Sequence, residues 1–242
     1  MKNIYTTLII ALGIIISSAI LGGAYRFRSK KPTKIMVTGM AEYNFTSDLI
    51  VWNASFARKS FDIKTAFTAL KEDEKIIREY FNQQGIKSSE IVFSSVNTAE
   101  DIEYTYDNDG RQRSEFKGYI LSQTIKIQSA EQNKVEKISR EITELLNQGI
   151  NLQSNEPQYY YTKMADLKID LLAKASQDGK LRAETIATNA GTSLGKLVNS
   201  QMGIFQITGQ YENEDYSWGG VYNTSSKEKT ASITVKMEFE LK

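Results

Sequence analysis

The 242-residue chain is predicted to fold as an α+β protein: two strand-helix-strand units plus a long third helix packed on antiparallel sheet, with an N-terminal transmembrane helix. Three observations predict it. The closing segment alternates, with Ala231, Ile233, Val235, Met237, Phe239 and Leu241 set against Ser232, Thr234, Lys236, Glu238 and Glu240, as a strand with one dry and one wet face must. Two stretches of helical period each sit between segments of strand period. The first 31 residues hold a run from Ile4 to Tyr25 without a charge.

That run sets the first element. As a helix, its 22 residues reach about 33 Å, against about 30 Å of hydrocarbon core. Its ten Ile and Leu residues favour insertion by roughly 5 kcal/mol. Arg26, Arg28, Lys30 and Lys31 follow directly. Residues 1–31 are therefore expected to be a membrane anchor with a basic flank, and residues 4–25 to meet the lipid bilayer. The alternative is a cleaved signal peptide ending near Gly22-Gly23-Ala24. The basic flank would hold the following domain on the cytoplasmic side, whereas an exported domain would have to override it.

Residues 32–242 are expected to form one α+β domain. Ile35–Tyr43 reads as a strand, and so does Asp48–Arg58, with Ile50, Trp52, Ala54 and Phe56 on one face. Ile63, Ala66, Phe67, Leu70, Ile77 and Phe81 then recur at helical spacing up to Gly85. Glu90–Thr98 is the next strand, and Asp107-Asn108-Asp109-Gly110 a hairpin turn. A strand over Glu115–Gln128 leads to a capping box at Ser129-Ala130-Glu131-Gln132. The helix it opens carries Val135, Ile138, Ile142, Leu145 and Leu146 and stops at Gly149. The Gly-Ile junctions at 85–86 and 149–150, 64 residues apart, hint at a repeat. A long helix over Lys163–Ala190 bears a stripe of Leu171, Ala175, Gly179, Ala183 and Ala187, small enough for close backbone packing. Strands near Gln201–Thr208 and Thr230–Leu241 close the chain.

Composition narrows the chemistry. There is no histidine and no cysteine, which removes Ser-His-Asp catalysis, HExxH zinc sites, thiolate nucleophiles and disulfides. All 29 acidic residues lie beyond Pro32, where 25 basic residues face them, so nucleic acid is not an expected partner. Gly191–Lys196 resembles a phosphate loop but is one residue short and follows a helix. Ser193/Lys196 and Ser226/Lys229 have Ser-x-x-Lys spacing without companion motifs. Asp107, Asp109 and Gly110 lack the geometry of a calcium loop, and Glu100, Asp101 and Glu103 read as an acidic loop. No catalytic residue, metal or cofactor is expected. The segment Gln210–Lys229 holds Tyr211, Tyr216, Trp218 and Tyr222 among polar residues and is the candidate contact loop. Its aromatics could instead pack locally in a long hairpin.

Several short motifs, in order, resemble the SIMPL domain family: Val37–Glu42, Ser47–Trp52, Gly85-Ile86, Gly118–Gln123, Ala175–Glu184, Leu194–Leu197, Gly203–Ile207 and the closing strand. The resemblance implies an α+β domain, usually exported or membrane-anchored in bacteria, with no established enzymatic activity and no agreed catalytic residues. With it, the sequence suggests a membrane-anchored envelope protein on the periplasmic side. It would act through binding or homo-oligomeric assembly, in envelope maintenance or stress tolerance by family analogy. The alternatives are a monomeric glycan- or peptide-binding module using the 210–229 loop, and an enzyme using carboxylates or Ser/Lys.

Overall fold

The computed structural model describes residues 2–29, 33–106, 110–212, 215 and 217–242. The elements run α1 (Lys2–Ser29), β1 (Lys34–Thr46), β2 (Leu49–Ser60), α2 (Ile63–Gln83), β3 (Ile91–Phe93), β4 (Asn97–Tyr106), β5 (Gln112–Ser129), α3 (Gln132–Glu141), β6 (Leu152–Ser154), β7 (Gln158–Tyr160), α4 (Met164–Asn189), β8 (Leu194–Met202), β9 (Gln206–Gly209) and β10 (Glu228–Leu241). The α+β class is observed, with the strands in two sheets.

The transmembrane helix is corrected. Among the described residues, no helix is long and apolar enough to cross a membrane. The expected bilayer partner, signal anchor, anchored periplasmic placement and envelope role fall with that span.

The chain divides into two compact units, residues 42–170 with 204–232, and residues 1–41, 171–203 and 233–242. In the larger unit β2 and β5 pair antiparallel over eleven residues, from Ile50↔Ser129 to Ser60↔Tyr119. Both strands alternate, so this register brings Ile50, Trp52, Ala54 and Phe56 beside Leu121, Ile125 and Ile127 on one dry face. Helix α2 covers that face with Ala66, Leu70, Ile77 and Phe81, and α3 with Val135 and Ile138. The strand order β3-β5-β2-β6 interleaves the units β2-α2-β3 and β5-α3-β6, each placing its second strand beside the other's first. That interleaving explains the spacing of the two Gly-Ile junctions: Gly85 and Gly149 both end helical segments at positive φ, 73° and 77°.

Ion pairing secures α2 to the sheet. Arg58 on β2 donates from Nε and Nη2 to both oxygens of Asp73 at 2.6 and 2.7 Å, and Asp73 is buried. The hydrogen bond to Asp73 holds the Arg58 guanidinium above its ordinary pKa. At the helix start, Asp62 caps the Thr65 amide at 2.8 Å.

Several local expectations shift. The strand expected over Glu90–Thr98 breaks into β3 and the start of β4: Ser94 N–H still donates to Thr124 O at 2.8 Å, but Thr124 N–H donates to the Ser94 hydroxyl at 3.0 Å instead of its carbonyl, which accepts from Gln123 Nε2. Ser129 is no N-cap: it is the buried end of β5, and its hydroxyl donates to Glu90 while accepting from Glu131 N–H. The Gln132 side chain donates to the Ser47 carbonyl instead of closing a capping box. Beyond α3, residues Ile142–Gln148 wind as 3₁₀ turns. The β4–β5 ribbon is solvent-exposed for most of its length, with Ile102, Tyr104, Tyr106 and Phe116 on one face and Lys117 paired to Glu103 and Glu115. The tip residues 107–109 lie outside the described residues.

In the smaller unit the small-residue stripe of α4 does what its spacing requires. Leu171, Ala175, Ala183 and Ala187 are buried, and Gly179 lies against Gly39 of β1. A Cβ on Gly39 would overlap the Ala175 carbonyl and the Gly179 amide and lie 2.7 Å from Gly179 Cα. Asp178 fixes the contact: its Oδ2 accepts from Met40 N–H at 2.9 Å and Arg182 Nε at 2.7 Å. These bonds, the Met40 amide first, hold its carboxyl below the ordinary range. Replacing Gly39 by Ala should force helix and strand apart and cost about 1–3 kcal/mol, measured as a lower midpoint in urea unfolding. An unchanged midpoint would mean the contact yields freely.

Candidate contact surface

The segment between β9 and β10 is tied down from beneath. Gln210 N–H donates to Glu228 O at 3.0 Å, Ile207 N–H to Val221 O at 2.9 Å and Asn223 N–H to Ile207 O at 2.8 Å. Gln206 clamps the turn ahead of Val221 with one amide group, donating to Ser217 O at 3.0 Å and accepting from Val221 N–H at 2.9 Å. Gly220 needs its freedom there: its φ is 89°, and a Cβ would come within 2.9 Å of Phe205 O.

The base of the segment is a buried lysine. Lys229 is fully buried, and its ammonium donates to Asn223 O at 2.7 Å, Ser226 O at 2.5 Å and Asn223 Oδ1 at 3.2 Å. An ammonium has three protons and needs three acceptors once removed from water, and the loop supplies them. Glu212 ties the other strand of the loop, accepting from Ser226 Oγ at 2.5 Å and Asn223 Nδ2 at 3.2 Å. The Ser226/Lys229 spacing noted in the sequence is thus structural. The serine hydroxyl serves Glu212, and the lysine takes the serine's carbonyl. Nothing in the spacing of Lys229 distinguished it from a surface lysine at a strand end.

On this base the aromatics part ways. Tyr211 and Trp218 are each 96% exposed, and Tyr211 holds a positive φ of 64°. Neither packs locally. Tyr216 lies outside the described residues. Tyr222 is placed elsewhere: with Tyr160, Tyr161, Leu49 and Val51 it lines a shallow groove of about 360 Å³ on the sheet face opposite the helices. Asn53, Lys126, Gln128 and Gln158 supply polar groups to the same groove. Burial, then the neighbouring Tyr160 and Asp48, raise the Tyr222 hydroxyl above its ordinary pKa. Asp48 shapes the rim by accepting from Thr162 N–H and Oγ1, both at 2.7 Å.

The remaining sequence candidates do not converge. Gly191–Lys196 joins the end of α4 to β8, so no amides aim at a common point as in a strand-loop-helix cradle. Asp101 pairs with Lys59 and Glu103 with Lys117 on the exposed ribbon. Among the described residues, no group of three acidic side chains could hold a metal.

The family comparison fits this architecture. The SIMPL family model, described as a protein of unknown function (DUF541), matches residues 35–239, and the chain belongs to this family. No match was found among curated proteins. The match begins beyond α1, and the anchored envelope role expected from the resemblance is withdrawn because, among the described residues, no helix is long and apolar enough to cross a membrane.

Two measurements test the base of the surface. Lys229→Met should remove the ammonium donor from the Asn223 and Ser226 carbonyls and cost about 2–4 kcal/mol, with exchange of amides at 206–210 and 217–228 accelerated in hydrogen-exchange mass spectrometry. Tyr159 donates to Glu136 Oε1 at 3.1 Å, and burial followed by that carboxylate pushes its pKa up to about 12. A folded pKa above the unfolded value of about 10 means stability complete below pH 10 and lost as pH climbs toward 12. Urea midpoints should fall across that window in the wild type and fall less in Tyr159→Phe.

Proposed function

We propose that this SIMPL-family protein is a non-catalytic binding domain whose contact surface is the 210–229 segment, with Tyr211 and Trp218 as its anchors and a glycan as its partner. The carrying observation is the contrast between an ordered base and bare rings. Two large aromatics are left 96% exposed on a segment that a buried lysine and a carboxylate hold in place. Leaving such rings in water gives up the burial that aromatic side chains usually supply, and the hydrogen-bonded stretches beneath them, at residues 206–210 and 217–228, lose little further entropy on binding. Flat, exposed rings suit the apolar face of a sugar, on which they can stack. Glu212, Ser217 and Asn223 lie in the same segment but spend their polar atoms holding it, so the rings are left to make the contact.

The reading is tested on a broad glycan array with the intact chain. Saturable binding to a defined glycan class is expected, and Tyr211→Ala or Trp218→Ala should each weaken it by about tenfold or more. Silence across the array, or binding indifferent to both substitutions, would sink it.

A further inference from the structure

The hydrogen bonds at the foot of the 210–229 segment bring an amine, an acyl group and an acid together within the chain itself. The amine is Lys229. It is fully buried, and its Nζ lies 3.2 Å from Oδ1 of Asn223, which is itself only 6% exposed. The backbone carbonyls of Asn223 and Ser226 grip Nζ in that place. The acyl group is the Asn223 carboxamide. Its Oδ1 accepts from Ser226 N–H at 2.8 Å, and its Nδ2 donates to Glu212 Oε2 at 3.2 Å. Ser226 Oγ donates to the other oxygen of Glu212, which fixes the carboxylate.

A carboxamide is a poor electrophile, because its nitrogen shares its lone pair with the carbonyl and leaves badly without a proton. Three features of this cluster offset that. Amine and carbonyl are held side by side, which supplies proximity. A backbone N–H already sits on Oδ1, where negative charge grows as Cγ becomes tetrahedral. A carboxyl group sits on Nδ2, where the departing nitrogen needs its proton. Gly209 makes room for that carboxyl. It is not among the glycines at positive φ, so its backbone does not ask for glycine. The space does: a Cβ there would overlap the Glu212 carboxyl and lie 2.6 Å from Ser226 Oγ.

We propose that Lys229 and Asn223 join in an intramolecular amide bond, with Glu212 as the proton carrier. The Lys229 ammonium releases one proton to solvent, and the neutral amine attacks Asn223 Cγ with its lone pair. The carbonyl π electrons move onto Oδ1, under the Ser226 N–H. At this tetrahedral stage both nitrogens sit on one carbon, so the carboxylate that holds Nδ2 also reaches Nζ. Glu212 takes a proton from Nζ and hands it to Nδ2. The carbonyl re-forms, the Cγ–Nδ2 bond breaks, and ammonia leaves. One proton stays on the new amide nitrogen, and Glu212 ends as the carboxylate it began as. The step consumes no oxidant and no second substrate. Its product is a covalent closure between residues 223 and 229, where the aromatic segment meets β10.

The test is a peptide map of the intact chain after incubation at neutral pH. Trypsin cuts after lysine but not after an acylated one. A branched peptide is expected, residues 197–227 joined to residues 228–236, lighter by about 17 Da, one ammonia, than the two unmodified peptides linked by nothing. Glu212→Gln, at an exposed position, should keep the circular dichroism of the wild type and slow formation of the branch by about a hundredfold. Lys229→Arg should abolish it. The wild-type map decides by itself if a variant fails to fold. Full cleavage after Lys229, with residues 230–236 recovered free, overturns the proposal. So does an ammonia loss confined to an unbranched 197–227 peptide, which would assign it to a succinimide at Asn223. A branch that forms equally fast in Glu212→Gln overturns the role of the carboxylate and the proposal with it. The readout is a peptide mass, so it is independent of the outcome of the glycan array.

Discussion

The pairing of β2 with β5 is the constraint on which the larger unit hangs. Eleven residue pairs run without a bulge, so the alternation on each strand stays in phase from end to end. A slip by one residue would turn Ile50, Trp52, Ala54 and Phe56 to water and bring Val51, Asn53 and Ser55 against α2 and α3. Trp52 adds a directional check, since its indole N–H donates to Ser154 Oγ at 3.1 Å and Asn155 O at 3.0 Å. The dry face then fixes where both helices pack, and the wet face becomes the wall of the tyrosine-lined groove.

How far the sequence spoke depended on whether a position answers to period or to partner. The core faces of β2, α2 and β10 answer to period, and most of their residues are buried as the alternation and the helical spacing require, but Ile63 and Phe67 of the α2 set are exposed. The stripe on α4 also answers to period, and its small side chains named a close contact without naming Gly39 as the other side. Lys229, Gln206 and Glu212 answer to partners brought near only by the closed fold, so nothing in their neighbours marked them. Strand β8 was missed for a related reason. Asn199, Ser200 and Gln201 are polar because that strand faces water on most sides, and the strand expected over Gln201–Thr208 falls across the end of β8 and most of β9.

The aromatic segment was legible in composition and not in arrangement. Four aromatic residues in a polar run marked a candidate surface. Only the hydrogen-bonded base separates the exposed pair Tyr211 and Trp218 from Tyr222, whose ring joins Tyr160 and Tyr161 on another element. The Ser-x-x-Lys spacing at Ser226 carries the same lesson. A motif fixes which residues are near in sequence, whereas chemistry needs particular atoms to meet, and here the meeting atoms are a carbonyl and an ammonium.

The junction of Gly39 with Gly179 has a thermodynamic side. Most helix–sheet contacts are made by side chains that surrender rotamer freedom when they pack, at about 0.5–1 kcal/mol for each leucine or isoleucine. Where two glycines meet there are no rotamers to freeze at the point of contact. The ordering cost falls on the backbone, which strand and helix geometry constrain in any case. The joint therefore asks little rotamer order of its own two residues, and the side chain it still needs held is Asp178.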